Sequence, residues 1–133
     1  MILRIRHMSL VAVAAVAAAC QAPGVTHLVP ERFPPTTAAK VVVIPEDRTP
    51  ACAYTTIAEI AEGERQQQDR WLWPEELPDF TQKAASLGAD AIWIQPGRVR
   101  DLGQVRQGES DNYVRTRMVI NYVLALKWKG LCQ

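Results

Sequence analysis

The chain has 133 residues, 48% of them hydrophobic and 22% charged, a composition that fits one small globular domain and excludes collagen-like, long coiled-coil and wholly disordered architectures. Fifteen Lys and Arg stand against fourteen Asp and Glu, so the formal charge is only +1 and the balance gives no reason to expect a nucleic-acid partner.

Met1 to Met8 carry Arg4, Arg6 and His7 without an acid, and Leu10 to Ala19 contain only Leu, Val and Ala. A basic stretch followed by a short apolar one is the pattern of an export signal. A spanning helix needs about 20 apolar residues, and this run stops at Cys20, Gln21 and Pro23. Residues 1–19 are therefore expected to be removed. Val16-Ala17-Ala18-Ala19-Cys20 resembles a bacterial lipobox, with Ala17 where Leu is usual, and ordinary signal cleavage within the alanines or an uncleaved anchor are the alternatives. The resemblance implies that Cys20 is acylated and becomes the mature N-terminus. Several acyl chains, at about 0.8 kcal/mol per buried CH₂, would hold the protein stably on a membrane. Gln21 after the cysteine resembles the sorting signal of outer-membrane lipoproteins that face the periplasm.

Residues 20–39 contain Pro23, Pro30, Pro34 and Pro35 and show no sustained periodicity, so they read as the lipid-bearing cysteine and an extended tether. His27 reads as an ordinary linker residue. The domain is expected over residues 40–133. Val41 to Ile44 is a β-branched run closed by Pro45, the pattern of a strand buried on both faces. Cys52 to Glu62 is ambiguous, because Tyr54, Ile57 and Ile60 recur every third residue while Thr55, Thr56 and Ile57 favour a strand; strand is the reading adopted. Leu77, Phe80, Ala84 and Leu87 form one apolar helical stripe, with Glu75, Glu76 and Asp79 at its N-terminal side and Gly88 placed to end it. Ala91 to Gln95 reads as a strand with Trp93 on one face and Ile92 and Ile94 on the other. Arg98 to Asn112 is polar and reads as a long hairpin connection or frayed strand ends. Val114 to Lys129 alternates as one long strand, with Met118, Ile120, Tyr122, Leu124, Leu126 and Trp128 on the buried side and Arg117, Asn121 and Lys127 on the other. The order β-β-α-β-β predicts the α+β class, a single helix packed on a mostly antiparallel sheet.

Lys83-Ala84-Ala85-Ser86-Leu87-Gly88-Ala89-Asp90-Ala91, running into Ile92-Trp93-Ile94, resembles the helix-to-strand junction of the YbjQ-like fold, which includes the lipoprotein sensor of the Rcs phosphorelay. In that family a Cys often opens the strand before the helix and another closes the last strand, places that Cys52 and Cys132 match. The resemblance implies the fold and the envelope address. That sensor has two disulfides and a longer, basic tether, so its stress-sensing role is not implied for this chain.

With Cys20 lipidated, Cys52 and Cys132 are the two cysteines left in an oxidising compartment, and their pairing is the expected disulfide. Trp71 and Trp73 bracket Leu72 before the helix, where they either form an exposed platform for a partner or cap the core. Arg115 and Arg117, with Arg98, Arg100 and Arg106, form either a basic ribbon for anionic head groups or a solvated strand face. Glu59, Glu62 and Glu64 could cluster, but clustered acids beside a turn are usually solvated.

The expected domain lacks a histidine, a Gly-x-Ser-x-Gly elbow and a phosphate-cradling Gly-rich loop, so no catalytic residues, cofactor or metal site are expected and the protein is read as not an enzyme. The function expected is that of a membrane-tethered binding or sensing module that contacts an envelope protein. Two alternatives stand beside it, a structural lipoprotein that forms homo-oligomers and a small-ligand or metal-binding protein.

Overall fold

A computed structural model describes residues 23–66 and 77–132. Its elements are β1 (Gly24–His27), β2 (Val42–Ile44), β3 (Tyr54–Ala61), β4 (Arg65–Gln66), α1 (Leu77–Ser86), β5 (Ala91–Ile94), β6 (Arg98–Arg106), β7 (Tyr113–Ile120) and β8 (Tyr122–Trp128), with a 3-10 turn at Ala38–Lys40. Five strands form the main sheet in the order β1-β3-β8-β5-β2, and β4-β7-β6 form a second sheet. Every pairing is antiparallel except that of β2 with β5. One helix on a mostly antiparallel sheet is the α+β class.

The helix forms where its stripe predicts and buries Phe80, Ala84 and Ala85. These side chains meet Ile57, Ile60, Ile92, Val123 and Ala125 of the sheet in the main core. Its C-terminus closes with Gly88 N–H donating to Ala85 O at 3.0 Å and Ala89 N–H to Ala84 O at 3.1 Å, the paired bonds of a Schellman cap. Gly88 takes φ 73° there, and the backbone of residues 33–34 passes so close that a Cβ would stand 2.5 Å from Pro34 O. Gly88 thus serves both a left-handed cap and a close approach.

Strand β3 resolves the ambiguous three-residue spacing. A bulge between Thr56 and Ala58 inserts one residue into the ladder, so Ile57 and Ile60 both enter the main core although an unbroken strand would turn them to opposite faces. Trp93 and the pair Ile92 and Ile94 do lie on opposite faces. The second face of the sheet holds Ile44, Ala91 and Leu126, with Tyr54, Trp93, Leu124 and Trp128 packed around them. Trp93 Nε1 donates to Arg48 O at 2.8 Å, which draws the segment after β2 over this face.

Four expectations need correction. Residues 24–39 are not a tether. Gly24 to His27 pair with Ala61 to Ala58 as an edge strand, Val25, Val29 and Phe33 pack on the core, and Thr36 N–H donates to Ala85 O at 2.9 Å. Val41 to Ile44 is not buried on both faces, because β2 lies at the sheet edge with Val42 and Val43 exposed. Arg98 to Arg106, read as a connection or frayed strand ends, is a continuous nine-residue strand. The long strand expected over Val114 to Lys129 is two strands, β7 and β8, in different sheets, and Asn121 at the break is buried instead of solvated. On β8 it is Val123 and Ala125 that face the helix, while Leu124, Leu126 and Trp128 serve the second face.

Candidate functional site

The main sheet has two different ends. At one, Tyr54 is opposite Trp128, and the chain beyond these strands brings Cys52 and Cys132 to disulfide distance, with Cα atoms 5.7 Å apart across 80 residues of sequence. At the other, Gly24 is opposite Ala61 and Ala61 opposite Tyr122, and there the chain passes from the main sheet into the second one. The second sheet is dominated by the β6–β7 ribbon, whose nine β6 residues are all exposed. At about 3.3 Å per residue the ribbon is about 30 Å long.

Ion pairs fix its root. Arg98 makes two hydrogen bonds to Glu59, at 2.8 and 2.6 Å, and lies 4.2 Å above the Tyr122 ring. Arg100 donates to Glu64 Oε1 from Nε at 2.9 Å and from Nη2 at 2.6 Å, and Arg65 Nε donates to Glu62 at 2.9 Å. The acids Glu59, Glu62 and Glu64 therefore do not converge on one point; each takes a different arginine. Glu62 also accepts from Asn121 Nδ2 at 2.6 Å, and Glu62 N–H donates to Asn121 O at 3.0 Å, joining the connections on either side of the bend. Asn121 Oδ1 is buried without a hydrogen-bond partner among the described residues.

Arg115 and Arg117, singled out in the sequence, come together on Asp101. Arg115 donates to Asp101 Oδ2 from Nε at 3.0 Å and from Nη2 at 2.6 Å, and Arg117 Nε lies 4.0 Å from the same oxygen. The Arg115 guanidinium, helped by the Gly103 N–H, holds the Asp101 carboxyl below its ordinary value of 3.8. Arg106 donates to the carbonyls of Ser110 and Glu109 and so braces the terminal turn. Each arginine of the ribbon thus has an acid or carbonyl partner, which favours the solvated-face reading over a free basic surface.

The register sorts the ribbon into two faces. Asp101, Gln104 and Arg106 stand with Arg117, Arg115 and Tyr113 on one face. The other face carries Arg98 and Arg100 at the root, opposite Ile120 and Met118, and beyond them Gly103, Val105, Val114 and Thr116 with no charge. A bulge at Leu102 separates the two registers, with Gly103 at φ 71°. Val105 and Val114 are direct partners and remain 41% and 39% exposed. The sequence alone does not reveal this amphipathic ribbon, because the bulge breaks the period-two pattern. The Asp101-x-Gly103 step is its one local signal.

Beside the paired cysteines, a shallow depression of about 430 Å³ is lined by Val42, Val43, Pro45, Arg48, Trp128 and Cys132. Among the described residues no three His, Cys, Asp or Glu side chains group as metal ligands. Cys20, Trp71 and Trp73 lie outside the described residues.

Compared with family models, with curated proteins and with solved structures, the chain matches none.

Proposed function

We propose that the protein is a lipid-anchored, non-enzymatic module of the bacterial cell envelope, held at the outer membrane and facing the periplasm, that binds or senses another envelope protein. The observation that carries this reading is the approach of Cys52 and Cys132 to disulfide distance, which suits an oxidising compartment and leaves Cys20 as the one further cysteine, directly after a run of small residues. The resemblance of residues 83–94 to the YbjQ-like junction supports the same address. The carboxylates support a non-enzymatic role, since Glu59, Glu62, Glu64 and Asp101 are held by arginines and Asp90 accepts the Trp128 N–H at 2.8 Å, each in a structural pair rather than around a common cleft.

A structural role through homo-oligomers is the second reading, favoured by the outer edge of β6, which no strand pairs among the described residues. The bulge at Leu102 and the charges of Arg98, Arg100, Asp101 and Arg106 blunt that edge against strand pairing. Metabolic labelling with an alkyne analogue of palmitate tests the anchor. The full chain is expected to incorporate label and Cys20→Ala is not; an unlabelled wild-type chain would overturn the assignment.

A further inference from the structure

Gly24 follows Cys20 by four residue steps, a reach of at most about 14 Å. Gly24 is already part of the sheet, the first residue of β1 and the partner of Ala61. An acyl anchor on Cys20 therefore holds the domain close to the bilayer by a defined corner, and does not suspend it on a long tether. That corner is the end of the sheet from which the ribbon leaves. Ala61 is opposite Tyr122, and only Asn121 separates Tyr122 from the end of β7. With neighbouring strands about 4.8 Å apart, the roots of the anchor and of the ribbon lie about 10 Å apart across the sheet.

A ribbon about twice as long as the linker beside it cannot keep clear of the membrane in every orientation the linker permits. Its two faces then differ in what they can meet. One carries Asp101, Arg106, Arg115 and Arg117; the other carries Arg98 and Arg100 at its root and, in its outer half, only the uncharged Val105, Val114 and Thr116. The turn at its far end includes Glu109 and the fully exposed Asp111, which opposes insertion end-on and leaves a flat contact. We infer that the β6–β7 ribbon is a second membrane contact, lying on the phospholipid surface that holds the acyl chains with its Val105 and Val114 face toward the lipid. This inference rests on the lipid anchor proposed above. Flat contact through one apolar face is the mode of interfacial elements generally, whose polar side stays in water. The ribbon arginines already hold protein partners, so the contact is apolar in kind rather than a recognition of anionic head groups. Two contacts at one end of the sheet would fix the domain's orientation and direct the paired cysteines away from the bilayer.

Site-specific photo-cross-linking of the full chain in its own membranes tests this. A benzophenone amino acid is placed at Val105, at Val114, at Tyr113 on the charged face, and at Leu131 beside the paired cysteines; each protein is read by intact mass, which also reports acylation of Cys20. The expected result is an acylated chain that gains the mass of one phospholipid from positions 105 and 114, with loss of that adduct at 113 and 131. An acylated chain with no lipid adduct at 105 and 114, with equal adducts at all four positions, or with adducts to protein instead would overturn the ribbon contact and leave the anchor standing. A chain without acyl groups would overturn both. The two neighbouring positions on the same face guard against a local disturbance by either substitution.

Discussion

Asn121 and Glu62 clasp each other twice at the bend between the two sheets, through Nδ2 to Oε1 at 2.6 Å and through Glu62 N–H to Asn121 O at 3.0 Å. The contact joins residues far apart in sequence where β7 gives way to β8, and Asn121 is only 1% exposed. Asn121→Ala would keep the backbone bond but leave the Glu62 carboxylate with Arg65 as its partner among the described residues, removing a charge-assisted bond. A loss of about 1 to 3 kcal/mol is expected in urea unfolding, and stability equal to wild type would show that the clasp contributes nothing.

Gly88 fixes the other close approach. Its φ of 73° strains any residue with a side chain, and a Cβ there would stand 2.5 Å from Pro34 O, so Gly88→Ala also pushes on residues 33–34. The left-handed conformation costs about 1 to 2 kcal/mol and the overpacking about 1 to 3, so about 2 to 5 is expected from chemical unfolding. Hydrogen exchange should locate the damage at Thr36, whose N–H bonds to Ala85 O, before it reaches β8.

Closing a loop of 80 residues through Cys52 and Cys132 stabilises by about 4 to 5 kcal/mol in the chain-entropy model. Reduction, or the double change Cys52→Ala with Cys132→Ala, should lower unfolding stability by up to that amount. It should also loosen the segment carrying Arg48, whose carbonyl accepts the Trp93 indole. A red shift of tryptophan emission on reduction, before global unfolding, reports that release.

Asp101 supplies a pH dependence with a definite sign. Its carboxyl is held down first by the hydrogen bond from Arg115 and then by the Gly103 N–H. A depressed acid contributes stability above its unfolded value and loses it as pH falls through the lower folded one. The ribbon contact is therefore complete at neutral pH and weakens only below about the ordinary Asp value of 3.8. An NMR titration should place the Asp101 midpoint below that of an unfolded peptide, and Arg115→Ala should move it upward. Asp101 lies at the surface, where solvent screens its ion pair, so the effect on global stability should be slight.

How much of this is legible in the sequence depends on whether a signal is local. The helix is legible because Phe80 and Ala84 sit on one stripe, and its end because Gly88 follows the last turn. Strand β1 is not, since Gly24-Val25-Thr26-His27 becomes a strand only by pairing with the edge of β3, a non-local choice. The break at Asn121 is hidden for a different reason. Alternation from Tyr113 to Trp128 continues across it, and the divergence of the two sheets leaves no trace in the period. Of the site, Cys52 and Cys132 follow from the cysteine count, whereas the arginines show their number but not their partners. Arg98 finds Glu59 and Arg100 finds Glu64 through the fold.

The most direct test of the lipid-anchored, oxidised assignment is the intact mass of the protein isolated from its own membranes, with and without reduction and alkylation. Expected is a chain that begins at triacylated Cys20, resists alkylation until reduced, and then takes label on two thiols, Cys52 and Cys132. A chain that begins elsewhere without lipid, or one whose thiols are alkylated without reductant, would contradict it.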